Sequence, residues 1–457
     1  MMKPYPFQET AIQRSIVNNT IIADECGLGK TLDAVEIIRR RMHDIPHPVI
    51  EPSLVITPLR VIGQWANLLR WQIPDVELII LDARSVVHVN EIRRENVVVL
   101  MHYEALPRVG VHLARIKFDV VVCDEVHRIK NRRAQRTTFV KLIHANRLIG
   151  LSGTPMDKPD EVWSLLNWVD PIKFRSYWKF VDEFCIQEET PYGYKKIVGA
   201  RNPQKFAAML EPYMIRRLKS EVVPQLPPRI ITDVPLVLPA KVRKAYDKLR
   251  TSKELEIDLD DNVSVIVRNA GALMTLLQMM TSDPACLEVK EMESVKRSFV
   301  VEYIEDNPDE AVVVFTKFRK SAEMLSQELS CPLVMGGQDN NAAIDEFVDG
   351  HSNIIVGTIA AMGEGLNLQR ASTAIFVDTD WSTIRMSQAI DRIHRIDITE
   401  PKNIIFLYAE DTVDKYILRA YREKLTKDDA ILMWLNEEFR NGKYSGRFTN
   451  DDGGQNG

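Results

Sequence analysis

The sequence has no apolar run of the roughly 18 residues that a membrane-crossing helix requires, so a membrane protein is not expected. Its five cysteines, Cys26, Cys123, Cys185, Cys286 and Cys331, are scattered without the short paired spacing of a metal site or a disulfide framework. That excludes a zinc module and fits a reducing compartment. It also lacks an excess of positive charge. With a formal net charge of −5, any contact with a polyanion has to come from a local patch. Residues 1–13 carry no apolar core of a secretory leader. These absences place the expected protein in the cytoplasm. A length of 457 residues suggests roughly three domain-sized units.

What is present begins at Ala23-Asp24-Glu25-Cys26-Gly27-Leu28-Gly29-Lys30-Thr31. The stretch follows a short apolar run and precedes a helical pattern, Leu32, Val35 and Ile38. A strand, a glycine turn and a helix start together form a phosphate cradle, because free backbone N–H groups and the helix dipole attract an anion. Gly27 and Gly29 allow the turn, Lys30 supplies charge to the β- and γ-phosphates, and Thr31 offers a hydroxyl to Mg²⁺. Asp24 stands where a phosphate loop ordinarily has glycine. Just upstream, Pro4-Tyr5-Pro6-Phe7-Gln8 places an aromatic ring and an amide where adenine could stack and hydrogen-bond. The same residues also suit the start of a first helix.

Leu54–Thr57, Leu78–Leu81, Val97–Met101, Phe118–Cys123 and Arg147–Leu151 are apolar runs that alternate with helical patterns, the mark of a parallel α/β sheet. Asp124 and Glu125 close the fourth run. The carboxyl end of such a strand faces the ligand crevice, where Asp124 can hold a Mg²⁺ shell and Glu125 can deprotonate an attacking water. Arg128, Lys130, Arg132, Arg133 and Arg136 follow, either a track for a phosphate backbone or a solvated helix face. Residues 158–295 read as helical, with no run like the earlier strands. Leu273–Met280 reads as Met-rich core, and Lys253–Asp261 as an exposed acidic loop. A second α/β region opens at Ala311–Phe315. It carries the tight turn Met362–Leu368, the stretch Asp378-Thr379-Asp380-Trp381 and a helix over Gln388–Arg395. On that helix Arg392 and Arg395 share a polar face, which suits either surface ion pairs or a charge delivered to a nucleotide. A last strand, Asn403–Tyr408, precedes a long helix over Val413–Phe439, and the Gly- and Asp-rich tail is expected to be disordered.

Taken together, Asp24–Thr31, Asp124–Asn131, Leu151–Pro155, Arg216–Val222 with Leu226–Pro228, Gly363–Leu368 and Gln388–Arg395 resemble, in order, the motifs of the Snf2 branch of superfamily 2 helicase-like motors, of the compact prokaryotic or viral type. The sequence departs from that pattern at Cys26, usually methionine, and at Asp283-Pro284, Trp381-Ser382-Thr383 and Asp397-Ile398. The resemblance implies an α/β protein of two RecA-like parallel-sheet lobes with a helical insertion and linker between them. The expected divisions are lobe one at 1–157, helical protrusions and linker at 158–295, lobe two at 296–410, a brace helix at 411–440 and a tail at 441–457.

It further implies a DNA-dependent ATPase, using ATP and Mg²⁺, that moves along double-stranded DNA as a monomer. Lys30, Glu125, Arg392 and Arg395 would be catalytic. Gln8, Gly27, Gly29, Lys30, Thr31, Asp124 and Gly365 would bind nucleotide, with Thr31 and Asp124 holding the metal. Thr57, Arg128, Lys130, Arg132, Arg133, Asn367 and Trp381 would meet nucleic acid. Two alternatives remain open, a strand-separating DNA or RNA helicase and a nucleotide-switched binding protein with little turnover. The recruiting partner and the pathway are not written in the sequence.

Overall fold

Strands buried on both faces cannot alternate apolar with polar residues, and the runs Val97–Met101 and Val120–Cys123 are continuous for that reason. They belong to the first of two parallel sheets in a computed structural model of the chain. It describes residues 2–45, 51–85, 89–156, 158–189, 195–223, 225–252, 263–289, 292–363, 366–396, 398–425 and 427–440. The expected acidic loop at 253–261 and the tail at 441–457 lie outside the described residues. The chain forms two compact units, Met1–Leu226 and Pro227–Gly457.

In the first unit the strands are β1 (Thr20–Ile22), β2 (Ser53–Thr57), β3 (Glu77–Leu81), β4 (Val97–His102), β5 (Lys117–Asp124) and β6 (His144–Leu151). A hairpin, β7 (Cys185–Glu189) and β8 (Lys195–Ala200), and a short β9 (Met214–Ile215) follow. The sheet order is β3-β4-β2-β5-β6-β1-β9 and every pairing is parallel. Val121 and Cys123 pack into the core on one face, and Val120 and Val122 into the core on the other. Helices α1 (Pro6–Val17), α2 (Lys30–His43) and α3 (Ile62–Gln72) pack on the second face through Ile12, Val35, Ile38 and Trp65.

In the second unit β10 (Arg229–Leu236), β11 (Val312–Thr316), β12 (Leu333–Val334), β13 (Ile354–Thr358), β14 (Thr373–Phe376) and β15 (Lys402–Ala409) form a parallel sheet in the order β10-β15-β14-β11-β13-β12. Phe315, Phe376 and Phe406 stand in register on neighbouring strands and stack at 4.7 and 4.9 Å between ring centroids. The expected RecA-like pair of lobes is thus present as two parallel α/β units.

The expected helical region 158–295 is not a unit of its own. It divides at Leu226/Pro227, and its described residues hold four strands. The hairpin β7–β8 is antiparallel, β9 joins the first sheet beside β1, and β10 joins the second beside β15. The Met-rich reading of the helix Val263–Ser282 holds, with Leu273, Met274, Leu277 and Met280 buried against Val413, Ile417 and Trp434. The long C-terminal helix is instead two, Val413–Glu423 and Lys427–Arg440, because Lys424 takes the left-handed conformation at φ 56°.

Candidate functional site

Strand register brings three of the sequence motifs of the first unit to one level. Ile22 of β1 and Asp124 of β5 are both paired with Leu151 of β6. The phosphate-cradle loop, the Asp124-Glu125 pair and Ser152-Gly153-Thr154 therefore leave the sheet side by side at its carboxyl edge, where α/β sheets bind ligands.

In the loop, Gly27 (φ 85°) and Gly29 (φ 79°) both take the left-handed conformation that a Cβ would oppose. Gly29 is the residue before α2, so the free N–H groups of the helix start open onto the loop. Lys30 Nζ donates to the carbonyls of Asp24 (2.7 Å) and Glu25 (3.2 Å), and Thr31 follows in the first turn. Gln8 is buried. Its amide N–H groups donate to the Leu28 and Gly29 carbonyls, both at 3.2 Å, and its oxygen accepts from Tyr5 N at 2.9 Å. The glutamine expected to read a base is also a buttress of the phosphate loop.

Asp24, fully buried, explains its own departure from the usual glycine. Its carboxylate is forked by Arg217, with Nε on Oδ1 at 3.0 Å and Nη2 on Oδ2. Asp33 lies fully buried on α2. Burial, and then the charge of Asp24, hold its pKa well above the usual carboxylate range. The guanidinium is left to Asp24.

Asp124 Oδ2 accepts from Thr57 Oγ1 (2.9 Å) and from the Trp65 indole (2.8 Å), while Oδ1 accepts from Glu125 N (3.0 Å). Tyr103 OH donates to the Asp124 carbonyl at 2.7 Å. These donors are neutral. Burial, followed by the charge of Glu125, raises the pKa of Asp124 against the pull of the Trp65 and Thr57 hydrogen bonds. A carboxylate aimed and dehydrated in this way is suited to a divalent cation, which would supply the missing positive charge. Among the described residues no group of three or more His, Cys, Asp or Glu could hold a metal. Asp124 and the Thr31 hydroxyl are the groups here that could hold Mg²⁺, with phosphate oxygens and water completing its shell. Glu125 turns out of the strand at φ 50°, and its Oε2 lies 3.2 Å from His127 Nδ1, which also lies 3.2 Å from Ser152 Oγ.

Gly153 packs against the loop itself. A Cβ there would lie 2.2 Å from Cys26 Sγ and 3.3 Å from Cys26 N. Gly153→Ala is therefore expected to cost about 1–3 kcal/mol, as overpacking does. Adding Cys26→Ala should recover most of it in a double-mutant cycle by urea unfolding. Additive losses would mean that the two residues do not meet.

The expected nucleic-acid residues fare unevenly. Thr57 is fully buried and its hydroxyl is committed to Asp124, so it supports the acidic pair and offers no surface. Arg128 pairs with Glu104 at 3.3 Å, Lys130 with Glu161 at 3.0 Å, and the Arg132 guanidinium lies 4.1 Å from the centre of the Tyr177 ring. Arg133 and Arg136 are exposed.

In the second unit the helix Thr383–Ile393 ends before Arg395, so the two arginines do not share a helical face as expected. His394 leaves helical geometry (φ −112°, ψ 87°) and its Nε2 lies 2.8 Å from the Pro227 carbonyl. Arg392 Nε donates to the Gly363 carbonyl at 2.9 Å and Arg395 Nη2 to the Leu366 carbonyl at 3.0 Å. Both arginines thus hold carbonyls that follow the short helix Ile359–Met362. Gly365 lies outside the described residues. Asn367 is exposed, and Trp381 is half-buried with Lys317 and Lys427 ammonium groups 5.4 and 5.7 Å from its ring.

Trp65 and Tyr103 touch the acidic pair from outside the motifs, while His127 and Arg217 lie inside the stretches Asp124–Asn131 and Arg216–Val222, where the sequence assigns them no role. Trp65 could be read only as an apolar helix position, and Arg217 lies 193 residues from its carboxylate.

Residues 10–288 match the family model described as SNF2-related domain, and residues 295–397 match that of the helicase conserved C-terminal domain. An uncharacterized ATP-dependent helicase of Mycoplasma genitalium is 26% identical over 423 residues, covering 88% of this chain and 39% of that protein. The ISWI chromatin-remodeling complex ATPase ISW1 of Saccharomyces cerevisiae is 25% identical, covering 94% of this chain and 40% of its own length. The human DNA annealing helicase and endonuclease ZRANB3 is 27% identical, with 90% and 39% covered. The chain thus spans about two fifths of the length of these curated relatives. Among solved structures, a Sulfolobus solfataricus SWI2/SNF2 ATPase core in complex with dsDNA aligns over 96% of this chain and 98% of that one, with 24% identity and a TM-score of 0.45. No helix among the described residues is long and apolar enough to cross a membrane.

Proposed function

The chain belongs to the SNF2-related family of helicase-like ATPases, whose domain model covers residues 10–288 of its 457, and on that premise we propose that it hydrolyses ATP to move along double-stranded DNA. The observation that carries this reading is the common level of the phosphate loop, the Asp124-Glu125 pair and Ser152-Gly153-Thr154 on three adjacent strands. The relatives described as chromatin-remodeling ATPases and as a DNA annealing helicase support duplex DNA as the track.

In this reading Lys30 moves from the Asp24 and Glu25 carbonyls to the β- and γ-phosphates. Thr31 and Asp124 hold Mg²⁺, which supplies charge neutralisation for the phosphates. Thr57 and Trp65 fix the Asp124 carboxylate, so it needs no reordering when the ion arrives. Glu125 takes a proton from the water that attacks the γ-phosphorus, ADP is the leaving group, and His127 orients Glu125. Arg392 and Arg395 stabilise the charge of the transition state. Exposed Arg133 and Asn367 would meet the DNA backbone, with Trp381 beside them in role. Arg128, Lys130 and Arg132 would first have to exchange Glu104, Glu161 and Tyr177 for phosphates.

Phosphate release with and without duplex DNA tests the proposal, and duplex is expected to raise the rate at least tenfold, an order-of-magnitude expectation equal to about 1.4 kcal/mol off the activation barrier. A rate indifferent to DNA would sink it. A duplex tracker should displace a triplex-forming strand while leaving a tailed duplex paired. Efficient unwinding of the tailed duplex would favour a strand-separating helicase instead.

A further inference from the structure

The last stretch of the first unit runs alongside its phosphate loop. Ile21 N donates to the Tyr213 carbonyl at 2.8 Å and Ala23 N to the Ile215 carbonyl at 2.7 Å, the parallel pairing of β1 with β9. The ladder then continues past the end of the sheet. Glu25 N, inside the phosphate loop, donates to the Arg217 carbonyl at 3.0 Å, and Glu25 Oε2 accepts from Lys219 N at 2.8 Å. Arg217 is held by its backbone as well as by its side chain.

That side chain reaches two places at once. Nε and Nη2 fork the buried Asp24 carboxylate of the loop, while Nη1 donates to the Phe7 carbonyl. The guanidinium also lies 5.1 Å from the centre of the Phe7 ring. Phe7 and Gln8, in the first turn of α1, are the residues expected to meet the base, and Gln8 donates to the Leu28 and Gly29 carbonyls. A planar fork can meet a carboxylate and a carbonyl in fixed relative positions, which a lysine ammonium cannot do.

We propose that Arg217 is a positioning residue for the nucleotide, setting the distance between the base-binding turn at Phe7-Gln8 and the phosphate loop at Asp24–Lys30. Asp24 replaces the ordinary glycine of the loop because it is the loop's attachment point for that guanidinium. The inference rests on the nucleotide-binding reading above. It predicts a specific defect. A ligand that uses both subsites needs their spacing, whereas a ligand that uses only the phosphate loop does not.

The test compares a fluorescent ATP analogue with inorganic tripolyphosphate, by direct titration and by competition, on the whole chain. Arg217→Ala and Arg217→Lys are both made, the second keeping a charge for Asp24 should the first fail to fold. In each variant the ATP analogue is expected to weaken by about tenfold or more, the scale of one lost charged hydrogen bond. In Arg217→Lys, which keeps a cation behind Asp24, tripolyphosphate should stay within about twofold, so the ratio of the two affinities collapses; in Arg217→Ala the uncompensated Asp24 carboxylate weakens tripolyphosphate as well. Equal weakening of both ligands in Arg217→Lys would reduce Arg217 to general upkeep of the loop and overturn the proposal. Unchanged affinity for both would overturn it too. A wild-type protein that binds neither ligand is a separate outcome, and it would remove the nucleotide reading itself.

Discussion

Glu125→Gln is expected to abolish multiple turnover of ATP while leaving its binding in place. The substitution keeps shape and hydrogen-bonding length but replaces a carboxylate oxygen that can accept a proton from water with an amide that cannot. General-base assistance is typically worth about 10²- to 10⁴-fold in rate, and a loss of that order should appear in kcat. Binding should survive because the cradle is built elsewhere. Lys30, the glycine turn and the start of α2 belong to the β1 end of the sheet, while Glu125 sits beyond the end of β5 with β6 between them. The substitution also weakens the contact at 3.2 Å between Glu125 Oε2 and His127 Nδ1. His127→Ala separates the two effects. If His127 only orients the carboxylate, its loss should cost less than that of Glu125, with the same sign. The measurements are single-turnover phosphate release and titration with a fluorescent nucleotide. Near-normal turnover in Glu125→Gln would move the base to another residue.

The same contrast shows which parts of the site were legible in the sequence. Buried parallel strands are continuous apolar runs, so Leu54–Thr57, Phe118–Cys123 and Val312–Phe315 identified themselves, and the chemistry-bearing residues at their carboxyl ends could be placed without coordinates. Edge strands have no such signature. β10, Arg-Ile-Ile-Thr-Asp-Val-Pro-Leu, is mostly exposed and contains a proline, and β9 is two residues long. Both were lost inside a region read as helical, and with them the division at Leu226/Pro227.

Side-chain commitments were harder still. Thr57 could be seen to end a strand, but not that β2 lies beside β5 so that its hydroxyl would be taken by Asp124. The partnership of Asp24 with Arg217 joins residues 193 positions apart. The sequence marks it only by the oddity of an acid in a loop read as a phosphate cradle and by the place of Arg217 inside the stretch Arg216–Val222. A buried carboxylate there would repel phosphate unless a cation neutralised it from behind.

Arg395→Ala is expected to lower kcat by roughly 10³-fold or more if the residue acts as an arginine finger, the range such groups reach in phosphoryl transfer. The observed geometry supplies a competing explanation that the experiment has to separate. Arg395 donates to the Leu366 carbonyl and Arg392 to the Gly363 carbonyl, so either substitution also releases the loop that carries Asn367. If loop support is the whole role, basal hydrolysis should persist and only the response to duplex DNA should fall, because Asn367 belongs to the proposed track and not to the nucleotide. If the guanidinium acts on the transition state, basal and stimulated kcat should fall together while ATP affinity stays put. Arg395→Lys sharpens the distinction. A lysine can still donate one hydrogen bond to Leu366 and keeps the charge, but it cannot present two parallel donors to a phosphoryl group. A finger therefore predicts a lysine variant nearly as slow as the alanine one, and a loop support predicts rescue. Arg392 lies on the helix while Arg395 lies two residues past its end, so a change of partner by Arg395 need not disturb a helical turn, and that makes it the better candidate for a group that must change partners during the cycle.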